Sequence, residues 1–352
     1  MPANGGGGAV RIAQVAPLHE SVPPRTYGGT ERIVHYLTEA LVKQGHEVTL
    51  YASGDSRTSA RLHPGVRESL RVSTTRRDPL AWHVLQLALV AQEAADYDLV
   101  HFHTDFLHFP LWRRMSVPQL TTLHGRLNLP DLLPLFEEFS DIHVASISDN
   151  QRGALRDVAR WAGTVYNGIP AGSYTFRHEQ GRYLAFLGRI SPEKGPEAAI
   201  DIAIRAGIPL KMAAKVDPVD RDYFEARVRD RLTHPLIEYV GEIDEQGKNE
   251  LLGGALALLF PIDWPEPFGL AMVEAMACGT PVIAYRQGAV PEVMSEGVSG
   301  FVVASVDEAV SALDRIDRID RSACRAYFEQ RFTVDHMVRG YLDLYRQLAA
   351  PA

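Results

Sequence analysis

Short apolar runs and longer amphipathic stretches alternate along almost the whole chain. Apolar runs fall at residues 10–16, 48–52, 99–103, 119–123, 143–148 and 163–166. Helical periodicity fills about 30–44, closed by Gly45, and 80–95. Runs with so few polar residues predict strands covered on both faces, as in a buried parallel sheet with helical crossovers. A polar, turn-rich stretch follows at 170–182, and then the alternation restarts. Further strands are predicted at 183–187, 210–214, 237–240, 257–260, 282–284 and 301–303, with a helix at 196–206 that opens on Pro196. The last part, about 320–350, is helical, with Tyr327, Phe328, Tyr341 and Tyr345 as aromatic anchors. The pattern predicts an α/β chain of two Rossmann-like, doubly wound domains, at 9–170 and 183–330, with 171–182 as a linker. Such sheets bind ligands at the carboxyl ends of their strands, so two of them facing each other would share a central cleft.

Composition narrows this picture. The 352 residues are 46% hydrophobic and 23% charged, ordinary for a globular chain of about two domains. A formal net charge of -8 with dispersed basic residues argues against a nucleic-acid partner. Cys278 and Cys324 are the only cysteines, which excludes a disulfide framework and a cysteine-rich metal site. No apolar run is long enough to span a bilayer. The first residues, ending in Gly5–Gly8, lack the charged and apolar regions of a secretory signal, so a cytoplasmic protein is expected. The pairs Arg76–Arg77 and Arg113–Arg114 are too short for a basic membrane-binding helix.

The richest chemistry lies in residues 265–279, Pro-Glu-Pro-Phe-Gly-Leu-Ala-Met-Val-Glu-Ala-Met-Ala-Cys-Gly. Glu266 precedes a predicted helix start, Glu274 lies inside that helix, and Gly279 sits where a glycine ends one. A carboxylate on an apolar helix is costly unless paired or turned to a ligand. An acceptor beside orphan helix amides suits a ligand with both hydroxyls and phosphate. Upstream, Gly188-Arg189-Ile190-Ser191-Pro192-Glu193-Lys194-Gly195 joins a strand to a helix. Its two cations beside a helix N-terminus suit a diphosphate, against the plainer reading of a solvated loop. Gly28-Gly29 opens the first helix and lets a ligand approach the backbone, yet no Gly-x-Gly-x-x-Gly follows the first strand, which disfavours a dinucleotide redox enzyme. His124-Gly125 follows the strand at 119–123. His101 and His103 alternate on one strand without a further ligand set, and the Asp-x-Asp triplets at 96–98 and 220–222 are read as surface residues away from strand carboxyl ends. No metal or other cofactor is expected.

Taken in order, these motifs resemble the retaining glycosyltransferases of family 4, which have the GT-B fold. Glu266 and Glu274 are similar to the family's Glu-x7-Glu signature, 188–195 to its diphosphate loop, Gly28-Gly29 to its N-terminal glycine loop, and Val165-Tyr166-Asn167-Gly168-Ile169 to its Asn-Gly-Ile segment. The resemblance implies that Arg189 and Lys194, beside Gly188, hold the donor diphosphate and the departing nucleotide. It implies Glu274 on the ribose and Glu266 on the transferred sugar. Phe268, Gly269, Leu270 and Ala271 would offer backbone amides, Gly28 and Gly29 would approach the phosphates, His124 would lie near sugar and acceptor, and Gly241 to Ile243 would meet the base. It also implies that a C-terminal helix, about 331–350, joins the N-terminal domain. Two departures stand out: Pro170 follows Asn-Gly-Ile where Asp is common, and Ala214-Lys215 replaces a frequent glycine, so Lys215 either adds a local cation or shifts the base pocket.

The expected activity is retaining transfer of a hexosyl or pentosyl group from a nucleotide-diphosphate sugar, UDP before GDP, to a small soluble acceptor such as a natural-product or antibiotic scaffold. Catalysis would rest on Glu266, His124, Arg189 and Lys194. The alternatives are a sugar-nucleotide epimerase or a phosphorylase of the same architecture, or a non-catalytic nucleotide-sugar binding subunit.

Overall fold

The computed structural model describes residues 8–26, 28–75 and 78–349. The expectations for Gly5 to Gly7 and for Arg76–Arg77 lie outside the described residues. Contacts divide the chain into two units: Met1–Ile147 with Arg152–Val165 and Val334–Ala352, and Ser148–Gln151 with Tyr166–Thr333.

The first unit carries β1 (Arg11–Val15), helix α1 (Gly29–Lys43), β2 (Glu47–Ser53), β3 (Arg61–Val66), α2 (Pro79–Gln92), β4 (Leu99–Phe102), β5 (Gln119–Thr122), β6 (His143–Ser146) and β7 (Arg160–Thr164). They form one parallel sheet in the order β3-β2-β1-β4-β5-β6-β7. The interior strands β1, β2, β4 and β5 are buried almost throughout, as their apolar runs demand. Strand β3, Arg-Leu-His-Pro-Gly-Val, was not expected. It is a half-exposed edge strand, the place where a sheet tolerates Pro64 and needs no apolar run. Helix α1 buries Ile33, Val34, Leu37 and Leu41 completely or nearly so, each worth roughly 1.5–3 kcal/mol of transfer energy. Asp78 caps α2 by accepting from the amides of Leu80 and Ala81.

The second unit carries β8 (Leu184–Arg189), α3 (Pro196–Ala206), β9 (Leu210–Lys215), β10 (Ile237–Gly241), α4 (Glu245–Gly253), β11 (Ala257–Phe260), α5 (Leu270–Ala277), β12 (Val282–Tyr285), β13 (Gly300–Val303) and α6 (Arg321–Arg331). Its parallel sheet runs β10-β9-β8-β11-β12-β13. The two orders share one logic: the chain winds outward from the first strand of each sheet and then reverses. The reversal falls between β1 and β4 in one sheet and between β8 and β11 in the other. Loops leaving those strand pairs splay apart and leave a crevice at their carboxyl ends.

One expectation changes. Residues 171–182, expected as a linker, belong to the second unit: Tyr174 is buried, and the Arg177 amide donates to the Cys278 carbonyl at 3.2 Å. The helical stretch at about 320–350 comprises two helices, α6 and then α7 (Val334–Ala349). The break falls where the Ile169 amide takes the Phe332 carbonyl at 3.0 Å and Ile169 pairs with Thr333, so the backbone leaves its helical bonds. The first of these helices lies in the second unit and α7 in the first, where Tyr341 and Tyr345 are buried. Among the described residues no helix is long and apolar enough to cross a membrane.

Candidate functional site

In the second unit the expected residues gather at the reversal between β8 and β11. Gly188 and Arg189 end β8, and Lys194 closes the short turn Pro192–Lys194 that follows. Glu266 lies in the loop after β11. Lys194 Nζ is bonded to Glu266 Oε2, and the Trp264 indole N–H donates to the same oxygen at 2.9 Å. The ammonium also lies 5.1 Å from the Trp264 ring centroid, over a face that favours a cation. Both charges are largely buried, so pairing is what lets them stay there.

Backbone contacts hold this pair. The Asp263 amide donates to the Glu193 carbonyl at 2.9 Å, tying the two loops together. Gly195 has φ +67°, and a Cβ there would stand 2.0 Å from the Pro261 carbonyl oxygen. Gly288 has φ +53° and meets Glu266 as closely: a Cβ would lie 2.3 Å from both its backbone N and O. The neighbouring Ala289 amide donates to the Glu266 carbonyl at 2.9 Å. Only residues without a side chain allow strands this far apart in sequence to touch at the backbone.

Arg189 faces acids. Its guanidinium is 3.6 Å from Glu193, 3.6 Å from Asp217 and 3.5 Å from Asp220. Lys215, at the end of β9, pairs with Asp217 at 2.9 Å. Asp220 was expected at the surface. Its side chain is only 14% exposed, because the loop after β9 is short and folds it back over the strand ends.

Glu274 is the third member. It lies on α5 and is 3% exposed. Lys248 on α4 reaches its carboxylate at 3.2 Å and Glu245 at 3.0 Å. Gly269 is the N-cap of α5, and Leu270 and Ala271 open the helix, where amides lack intrahelical acceptors. Phe268 is buried, 5.9 Å from the Phe332 ring, so its side chain serves the core. Gly241 ends the edge strand β10 and Ile243 follows it, two strands away from β8.

In the first unit a cavity of about 480 Å³ opens beside the ends of β1, β4 and β5. Thr30 and Glu31 from the start of α1, just after Gly28 and Gly29, line it together with His83, Thr104, Asp105 and His124. Burial raises the carboxyl of Glu31 above its ordinary range and pushes the His124 imidazole down to about 3. Asp105 holds φ 51°, a backbone strain of the kind that gathers at ligand sites. The Arg71 guanidinium on the wall is 2.8 Å from Glu20. His101 and His103, considered as metal ligands and set aside, are both hydrogen-bonded inside the unit.

Sequence reading missed Trp264, Gly288, Asp217, Lys248, Glu31 and Asp105. Trp264, two residues before Glu266, and Asp217, two after Lys215, carried a local signal. Lys248 and Gly288 carried none, because their partners are reached only through the fold.

Residues 27–170 match the family model described as Glycosyltransferase Family 4, and residues 175–326 the model described as Glycosyl transferases group 1. The chain is 27% identical over 339 residues to a glycogen synthase of Mycobacterium tuberculosis, across 82% of this chain and 81% of that protein. It is similar in structure to a glycosyltransferase involved in avilamycin A biosynthesis (TM-score 0.72, 24% identity, 97% of this chain and 99% of the other). It is also similar to the sucrose-phosphate synthase of Thermosynechococcus elongatus (TM-score 0.80, 20% identity, 96% and 99%). These two likenesses concern the fold, which is GT-B. Carrying both glycosyltransferase domains in tandem on that fold, the chain is a glycosyltransferase of the family 4 type.

Proposed function

We propose that the protein transfers a sugar, with retention at the anomeric carbon, from a nucleotide-diphosphate sugar (UDP first, GDP second) to a small neutral acceptor bearing a hydroxyl. The observation that carries this reading is the Lys194–Glu266 pair, seated at the reversal point of the second sheet beside the amides of α5. One cation for phosphate and one carboxylate for sugar hydroxyls are thereby held in a single crevice. Arg189 and Lys194 offset the charge that develops on the departing diphosphate. Glu274 accepts from the ribose and Glu266 from the transferred sugar. The bond from the anomeric carbon to phosphate oxygen breaks, a bond to the acceptor oxygen forms on the same face, and the acceptor's proton passes to the leaving phosphate. No protein base and no metal enters this scheme.

The acceptor is assigned to the first unit's cavity, whose size suits a small molecule. Its neutrality follows from the walls: two carboxyls, uncharged imidazoles, and an arginine already paired with Glu20. A phosphorylated acceptor is expected to show a KM at least about tenfold above its neutral parent, roughly the 1.4 kcal/mol of one adverse charge contact. Equal KM values would remove the charge argument.

Two measurements test the reaction. UDP at about 100 times its Kd stabilises the fold by about 2.7 kcal/mol, read as a rise in Tm, with GDP and ADP giving less. The product's anomeric coupling in proton NMR matches that of the donor sugar. An inverted product, or donor consumed without acceptor, overturns the proposal.

A further inference from the structure

Beneath His124 runs a chain of hydrogen bonds that ends on the C-terminal helix. His124 Nε2 is 2.9 Å from His103 Nδ1, and His103 Nε2 is 2.8 Å from Gln14 Oε1. Gln14 Nε2 donates to the Tyr345 hydroxyl at 3.0 Å. That hydroxyl is 2.7 Å from His101 Nδ1, and His101 Nε2 is 2.8 Å from Thr122 Oγ1. Thr122 finally donates to the Tyr341 hydroxyl at 3.0 Å. Every member belongs to the first unit.

With the Gln14 amide turned as it stands, its oxygen to His103 and its nitrogen to Tyr345, the chain has one self-consistent polarity. Complete burial keeps His101 and His103 neutral, with one ring proton each. Gln14 offers its carbonyl oxygen to His103, so that proton sits on His103 Nε2. His103 Nδ1 is then an acceptor, and His124 must supply the proton from its Nε2. On the other side, Tyr345 receives the Gln14 amide, so its own proton goes to His101 Nδ1. His101 then donates from Nε2 to Thr122, whose proton goes to Tyr341. The ring nitrogen left to His124 is Nδ1, as a lone pair, and His124 lines the cavity. Turning the Gln14 amide over would reverse the chain and present a proton instead.

We infer that Gln14 and Tyr345 are positioning residues that set the tautomer of His124, so that it meets a substrate hydroxyl as a hydrogen-bond acceptor. The inference rests on the glycosyl-transfer reading only for which molecule His124 meets; the tautomer is a property of the free protein.

The test is nitrogen-15 NMR of the histidine-labelled full chain without substrate, with His124→Asn to assign the signals. His124 is expected as the Nε2–H form. Tyr345→Phe removes both the acceptor of the Gln14 amide and the donor to His101. A second His124 tautomer then appears, and kcat falls about tenfold, or about 1.4 kcal/mol, with nucleoside diphosphate affinity unchanged. Tyr341→Phe, at the far end, leaves the His124 signals in place and kcat within about twofold. An Nδ1–H form in the wild type overturns the inference, as do equal kcat losses in both variants with an unchanged tautomer. If Tyr345→Phe fails to fold, the wild-type spectrum still decides.

Discussion

Neutralising both cations after β8, as Arg189→Ala with Lys194→Ala, is expected to lower sugar transfer by at least about a thousandfold while the protein stays folded. Removing one preorganised donor from a developing oxyanion typically costs about a hundredfold to a thousandfold, and here two are lost. The fold should survive because two of the acids concerned keep another partner. Glu266 keeps the Trp264 N–H at 2.9 Å, and Asp217 keeps Lys215 at 2.9 Å. The two cations differ in setting, and the single variants should show it. Lys194 shares one oxygen of Glu266 with Trp264, so its loss also frees that carboxylate to turn. Arg189 sits 3.5–3.6 Å from three acids, and its loss leaves Asp220 without the guanidinium beside it. Turnover at saturating donor, nucleoside diphosphate Kd and Tm together separate chemistry from binding and folding. Near-wild-type transfer by the double variant would remove both residues from the phosphate site.

Replacing Gly195 with alanine carries the second large effect. Two costs combine there. The left-handed φ of +67° costs a side chain about 1–2 kcal/mol, and the new Cβ would stand 2.0 Å from the Pro261 carbonyl oxygen. No rotamer relieves a Cβ contact, so the backbone must part. The two loops that part are those holding Lys194 and Glu266. Gly195→Ala should therefore lose stability and weaken nucleoside diphosphate binding by at least about tenfold, since sites need positioning within about half an ångström. Gly207 supplies the control. It has the same φ of +67°, and a Cβ there would meet no atom within 4 Å. Gly207→Ala should show the conformational cost alone, with ligand affinity intact. Equal effects on affinity at both glycines would refute the close-approach explanation.

Much of the fold was legible because interior parallel strands must be apolar on both faces. Strands β1, β4, β8 and β11 announced themselves as runs. Edge strands carry no such demand, which is why β3, with Pro64 and Gly65, was invisible. The stretch at 320–350 read as helical throughout because its apolar anchors continue across the break. Only the pairing of Ile169 with Thr333 shows where the backbone departs. One feature of the division into units was hidden for a related reason. The second unit includes residues 148–151 as well as 166–333, a discontinuity that no linear change of composition marks.

In the site, Glu266, Glu274, Arg189 and Lys194 stood out locally because charge on an apolar segment or beside a helix start is costly unless used. Their partners did not. Lys248 meets Glu274 from another helix, Gly288 meets the backbone of Glu266 from the end of another strand, and Asp220 reaches Arg189 by folding back. His124 was noticed as a lone histidine, while the relay beneath it joins β1, β4, β5 and α7. The sequence by itself determined the alternation of elements, the two sheets and the residues whose chemistry is too expensive to be idle, because periodicity and desolvation act within a few residues along the chain. Only the tertiary structure decided which charges are paired, which glycines let loops touch and which proton His124 keeps, because those depend on distances between strands that lie far apart in the chain and meet only when the sheets close.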